Sequence, residues 1–220
     1  MTSIFFYDKF KIMEIIPKFI ALEGGDGSGT TTQLSLLSKH LNETGKPRFF
    51  TTFEPTDGHI GRLLRASLKR EINVKPQTLA FLFAADRSEH LYGENGIMEH
   101  IEKSELVICD RFVLSSLVYQ GIEFGDELPE TLNAGFGVPE LTLFLDIKPE
   151  TAFERMKNRG ELEIYETLDF QVKVREKYLS IISSYRALGA RIEVIDAEKS
   201  AQEVEKQIWS RISSMPIFNK

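Results

Sequence analysis

Apolar positions fall into short blocks with two alternating spacings. "KFIALEG" (18–24) is a nearly continuous apolar run ending in glycine, the pattern of a buried strand entering a turn. "TTTQLSLLSKHL" follows, with Leu34, Leu37 and Leu41 on one helical face and Gly45 as its stop. "RFFTTF" (48–53), "ELVICD" (105–110), "LTLFLDI" (141–147) and "RIEVIDA" (191–197) repeat the strand pattern. "GHIGRLLRASLKR", "QTLAFLFAADRSEHL", "PETAFERMKNRG" (149–160), a long segment from Leu168 to Leu188 and a last segment from about Ser200 carry helical spacing. Pro149 and Glu150 suit a first helical turn, and Gly160 suits an end. Five strands separated by helices predict one α/β domain with a mostly parallel sheet covered on both faces.

The chain has 220 residues, enough for one good core, with no repeat or Pro/Gly-rich linker to divide it. Residues 1–17 are expected to be an N-terminal extension and 18–220 the single domain, with Met13 a second possible start. The extension is apolar but interrupted by Asp8, Lys9 and Lys11, which does not fit a signal peptide. No apolar run reaches the ~18 residues of a membrane span. A net charge of −6 argues against a nucleic-acid binder. A single cysteine, Cys109, leaves no disulfide within the chain and fits a reducing, cytoplasmic setting.

In parallel α/β sheets, ligands gather beyond the carboxyl ends of the strands. The first such tip, "GGDGSGTT" (24–31), matches the phosphate-loop pattern G-x-x-x-x-G-K-[ST] except that Thr30 stands at the lysine. Its backbone N–H groups and the following helix N-terminus suit phosphates, and the Thr31 hydroxyl suits magnesium. The third tip, "CDRFVLSSLVYQ", ends a buried strand at Asp110. That carboxylate could hold Mg2+ or its waters, and Arg111 a substrate phosphate. A structural Asp–Arg pair would look the same.

Taken together, "ALEGGDGSG-TTQ", "FEPTDGHIGRLLR", "LFAADRSEH", "CDRFVLSSLVYQ", "PELTLFLDIKPETAFERM", "RGELEIYE" and "VIDA" resemble the thymidylate kinase family in order and spacing, from about Lys18 to Ile212. The resemblance implies a P-loop nucleoside monophosphate kinase fold with a five-stranded parallel sheet and a mobile lid around 155–167. It implies transfer of the ATP γ-phosphate to dTMP, with Mg2+, usually in a homodimer. Gly24, Gly27, Ser28, Gly29, Thr30, Thr31 and Thr32 then form the ATP phosphate site, with Arg159 near adenine. Thr31 and Asp110 are the metal positions.

On the acceptor side the resemblance assigns Asp26 to the sugar 3′-hydroxyl, Phe83 and Arg87 to thymine, and Arg111 to the dTMP phosphate. Tyr119 lies beside the sugar, where it crowds out a 2′-hydroxyl. Ser116 and Gln120 lie near the base, Arg65 on the monophosphate side, Tyr165 over the sugar, and Glu54 and Pro55 complete the wall. Helical spacing allows Phe83 to be core instead, beside Leu79 and Leu82.

Three cations of the family pattern are absent: Thr30, Phe53 and Ile164 replace them. Phosphoryl transfer depends on positioning and charge stabilisation, so another cation is needed. Arg155 is the expected substitute, which makes the catalytic set Asp26, Arg111, Arg155 and Arg159. Two other functions stay open: phosphorylation of a different deoxynucleoside monophosphate, and nucleotide binding without catalysis.

Overall fold

The computed structural model describes residues 13–157, Tyr165 and 167–219. Five strands, β1 (Ile15–Glu23), β2 (Phe49–Phe53), β3 (Leu106–Asp110), β4 (Val138–Asp146) and β5 (Ile192–Asp196), form one sheet in the order β2-β3-β1-β4-β5. Every neighbouring pair is parallel. The connections carry α1 (Thr30–Thr44), α2 (His59–Leu68), α3 (Pro76–Tyr92), α4 (Ile97–Glu102), α5 (Val113–Phe124), α6 (Glu127–Asn133), α7 (Pro149–Lys157) and α8 (Leu168–Ala187). After β5 comes α9 (Ala201–Ile212).

Strand alternation builds two cores, one on each face. Phe19, Ala21, Val107, Cys109 and Phe144 point to one side, against α5 and the Val174–Tyr178–Ile182 stripe of α8. Ile20, Leu22, Ile108, Leu143 and Leu145 point to the other, against Leu37 and Leu41 of α1 and Val204, Ile208 and Ile212 of α9. Burial of the three central strands, β3, β1 and β4, on both sides explains their near-continuous apolar runs, while the edge strands β2 and β5 are only partly buried.

The helix limits follow local chemistry. Gly45, at φ +70°, ends α1 as expected, and its N–H donates to the Leu41 carbonyl. Ser200 and Glu203 form a reciprocal capping box at the start of α9. Among the described residues no helix is long and apolar enough to cross a membrane.

The structure departs from the sequence reading at three places. β1 begins at Ile15, so residues 15–17 of the expected extension belong to the sheet. Ile15 and Ile16 pair with Val138 and Pro139, and an irregularity before Ile20 absorbs the left-handed Lys18. Helices α4 and α6 have six and seven residues, less than two full turns, too short for periodicity to register. The expected end of the 149–160 helix lies outside the described residues.

Candidate active site

The segment after β1 turns back tightly into α1. Gly27 and Gly29 hold φ of +79° and +97°. A Cβ on Gly27 would lie 2.5 Å from the Ala152 carbonyl oxygen, so glycine alone lets the loop rest on α7. Gly29 caps α1 without a side chain, which leaves first-turn N–H groups and the positive end of the helix dipole for an anion. A polar cleft of about 360 Å³ lies there, lined by Gly25, Asp26, Gly27, Gly29, Thr30, Thr31 and Arg111. Gly24 and Ser28 complete the turn, with Ser28 Oγ buried and unpartnered. Thr32 is exposed and is not among the cleft-lining residues.

Thr31 Oγ1 donates to Asp110 Oδ2 at 2.6 Å. The other carboxylate oxygen, Asp110 Oδ1, is buried without a partner. Among the described residues no group of three His, Cys, Asp or Glu could hold a metal by itself. One carboxylate and one hydroxyl beside a phosphate cleft nevertheless suit Mg2+, which keeps waters and shares substrate phosphates.

A second cleft of about 660 Å³ adjoins the first and shares Asp26 and Arg111 with it. Glu54, Pro55, Phe83, Arg87, Ser116, Tyr119, Gln120 and Tyr165 line it, as the sequence reading expected. Phe83 is half-buried and belongs to neither core, so the structure selects the cleft over the core for it. Arg87 is almost wholly buried. Its Nη2 donates to Glu54 Oε2 at 2.7 Å, to Ser116 Oγ at 2.9 Å and to the Phe112 carbonyl at 3.1 Å; Nη1 donates to Asn133 Oδ1. Its Nε–H and the Gln120 Oε1 are buried with no partner.

Arg111 sits at the junction of the two clefts. Its guanidinium donates to the Gly24 carbonyl at 2.9 Å and to the Asp26 carboxylate, and lies 5.4 Å from the centre of the Tyr119 ring. Tyr119 is buried, which pushes its hydroxyl well above the ordinary tyrosine range, so it stays protonated. Tyr165 meets Tyr119 edge-on at 5.4 Å and donates to Glu123 at 2.8 Å.

Two expected cations are elsewhere. Arg65 does not line the cleft; it pairs with Asp57 at 2.6 Å and covers the Phe53 ring at 5.1 Å. Phe53, in a position the family pattern fills with arginine, thus gains a cation on its face instead. Arg155 donates to the Ala197 carbonyl at 3.1 Å, beyond the end of β5, and lines neither cleft. This arrangement does not bring Arg155, the expected substitute for the loop lysine, to the phosphate loop: on α7 its side chain turns toward β5. Arg159 and Ile164 lie outside the described residues. Among the described residues lining the phosphate cleft, Arg111 is the cation present.

The sequence reading missed four contributors. Glu23 is fully buried at the end of β1, and burial pushes its carboxyl up to about 7. Ser115 lines the cleft and donates to Glu23 Oε2 at 2.6 Å. Asn133 orients Arg87 from α6. Gln171 of α8 donates to Asp26 Oδ2 at 3.0 Å and to the Tyr165 carbonyl at 3.0 Å, and accepts from Asp26 N at 3.1 Å. Only Glu23 left a signal: a carboxylate closing an apolar strand, as Asp110 does.

A family model described as thymidylate kinase matches residues 22–208. A putative thymidylate kinase of Treponema pallidum (strain Nichols) is 40% identical over 199 residues, covering 89% of this chain and 95% of that protein. A probable thymidylate kinase of Methanococcus aeolicus is 37% identical over 204 residues, covering 91% and 98%. One of Pyrobaculum aerophilum is 40% identical over 201 residues, again covering 91% and 98%.

Proposed function

The chain belongs to the thymidylate kinase family, and from that premise we propose that it transfers the γ-phosphate of ATP to dTMP, giving dTDP and ADP. The observation that carries the acceptor reading is the larger cleft itself, where Phe83, Arg87, Tyr119 and Gln120 meet beside Asp26 and Arg111. An arginine donor and an amide that both donates and accepts suit the imide edge of thymine, whose O4 accepts and whose N3–H donates. Cytosine presents an amino group where thymine presents O4, which sets a donor against the Arg87 donor at a cost of about 1–3 kcal/mol. Phe83 offers a face for the ring, and Tyr119 beside Asp26 fills the space a 2′-hydroxyl would need.

The donor triphosphate rests on the loop from Gly24 to Thr31. Thr31 and Asp110 would hold Mg2+, which would supply positive charge for the transferred phosphate. Asp26 receives the 3′-hydroxyl and so orients the acceptor. Arg111, between the clefts, holds the acceptor phosphate and stands closest to the path of transfer. Thr30 contributes one neutral hydrogen bond where the common pattern has a charge, so Arg111 carries more of the stabilisation in this chain. Arg159 near adenine, a lid around 155–167, a homodimer and a cytoplasmic setting complete the proposal, in line with the family.

Thr30 also favours a second reading, a nucleotide-binding protein without turnover. Release of ADP from ATP, Mg2+ and each of dTMP, dUMP and dCMP separates them. The expected order is dTMP above dUMP, with dCMP at least about tenfold lower in kcat/KM, one mismatched donor's worth of discrimination. Binding of dTMP with no ADP release establishes the second reading; equal use of dCMP removes the imide argument.

A further inference from the structure

Glu23 ends β1, and its backbone leads directly into Gly24 of the phosphate loop. Its side chain turns the other way, to the turn between β3 and α5. Oε1 accepts from the Phe112 N–H at 2.9 Å and the Ser115 N–H at 3.3 Å. Oε2 accepts from the Ser115 hydroxyl at 2.6 Å and the Tyr178 hydroxyl at 2.9 Å.

Helix α5 needs that help. Its N-cap residue is Phe112, and no side chain of its own caps it. A capping oxygen ordinarily bonds the N–H of the second or third helical residue, and Ser115 is the third. Glu23 therefore does the work of an N-cap from another strand. Just before it, Arg111 holds φ +69°, a left-handed value that a residue with a Cβ keeps only when its surroundings impose it. Both flanking peptides are tied to β1: Arg111 N donates to the Leu22 carbonyl at 2.8 Å, and Phe112 N donates to Glu23.

We propose that Glu23 is a positioning residue for the acceptor half of the site, capping α5 in trans and holding the Arg111 turn in its left-handed form. α5 carries Ser116, Tyr119 and Gln120, so the cap fixes the base wall and the phosphate-binding guanidinium together. Released from it, the turn relaxes toward the right-handed form and Arg111 swings off Asp26 and Gly24. The functional consequence rests on the dTMP kinase reading; the cap itself does not.

Two substitutions separate reach from charge. Glu23→Asp keeps the charge and withdraws it by one carbon–carbon bond, about 1.5 Å. Glu23→Gln keeps the reach and one accepting oxygen. In steady-state kinetics, Glu23→Asp is expected to raise KM for dTMP at least about tenfold while KM for ATP stays within about threefold, and Glu23→Gln leaves both within about threefold. Amide hydrogen exchange at Phe112 and Ser115, read without nucleotide, is expected to be slow in wild type and at least about tenfold faster in Glu23→Asp. The proposal is overturned by an unchanged dTMP KM in Glu23→Asp, by equal rises in both KM values, or by Gln as damaging as Asp. It is also overturned, without any variant, by wild-type Phe112 and Ser115 amides exchanging as fast as those of exposed loops. Absence of dTMP turnover in wild type counts against the proposed function alone, and the exchange rates still judge the cap.

Discussion

Arg87 has two tasks that pull a mutation in two directions. It meets a base in the proposed reaction, and it neutralises Glu54, which is itself buried. Without Arg87 the buried Glu54 keeps His90 Nδ1 as a partner, at 3.0 Å, so the loss is expected to fall below the ~3–5 kcal/mol of a fully broken buried pair. Arg87→Ala should therefore lower the melting temperature as well as raise KM for dTMP. Phe83 packs in neither core, so Phe83→Ala should raise that KM about tenfold, roughly 1.4 kcal/mol, with little change in thermal stability. Parallel melts and kinetics on the two variants check the contrast, and a large loss of stability in Phe83→Ala would return that residue to the core. Glu23 gives a pH signature. Burial raises its carboxyl from 4.5 to about 7, so between those values the folded state holds a proton that the unfolded state has lost. Its contribution to stability is full below about 4.5, falls as pH rises toward 7 and levels off above. Glu23→Gln removes that slope, worth up to about 1.4 kcal/mol per pH unit across the window. Denaturation of both proteins from pH 5 to 8 should show wild type losing ground to the Gln variant.

Helix α2 is set against the 54–58 turn with no space between them. A Cβ on Gly61 would collide with the Thr56 carbonyl oxygen, and Thr56 cannot retreat because Asp86 accepts from its N–H at 2.7 Å and its hydroxyl at 2.6 Å. Gly61→Ala is expected to lose about 2 kcal/mol of stability, the scale of core overpacking. Because the turn carries Glu54 and Pro55, KM for dTMP should rise while KM for ATP holds; urea denaturation and kinetics on one preparation test both. At this scale the sequence was largely readable. Runs such as "ELVICD" declare strands because both faces are buried, and the glycines of 24–29 declare a tight loop because Gly27 and Gly29 must hold a left-handed backbone. Side-chain direction at helix ends was not readable. Arg65 and Arg155 have the right charge at the right distance along the chain, yet one turns to Asp57 and the other to Ala197. Asn133 and Gln171 were invisible because an amide's partner is chosen by tertiary packing, and α6 itself was too short to see.

For the molecule as a whole, ligand binding should appear as stability. A nucleotide at a hundred times its dissociation constant adds about 2.7 kcal/mol to the folded state. dTMP should raise the wild-type melting temperature accordingly, and Arg111→Ala should abolish most of the shift. Sedimentation of the free protein is expected to give twice the mass of one chain if the proposed homodimer forms. One feature ties these measurements together: Asp26 and Arg111 belong to the walls of both clefts. A nucleotide in one cleft therefore touches side chains that also bound the other. Whatever factor ATP applies to the affinity for dTMP, dTMP must apply to the affinity for ATP, because the cycle of binding steps closes. Arg111, in the turn after β3 and beside the loop that has Thr30 at the lysine position, is where that reciprocity would have its physical seat, and its replacement should drive the mutual factor toward one even where each ligand alone still binds.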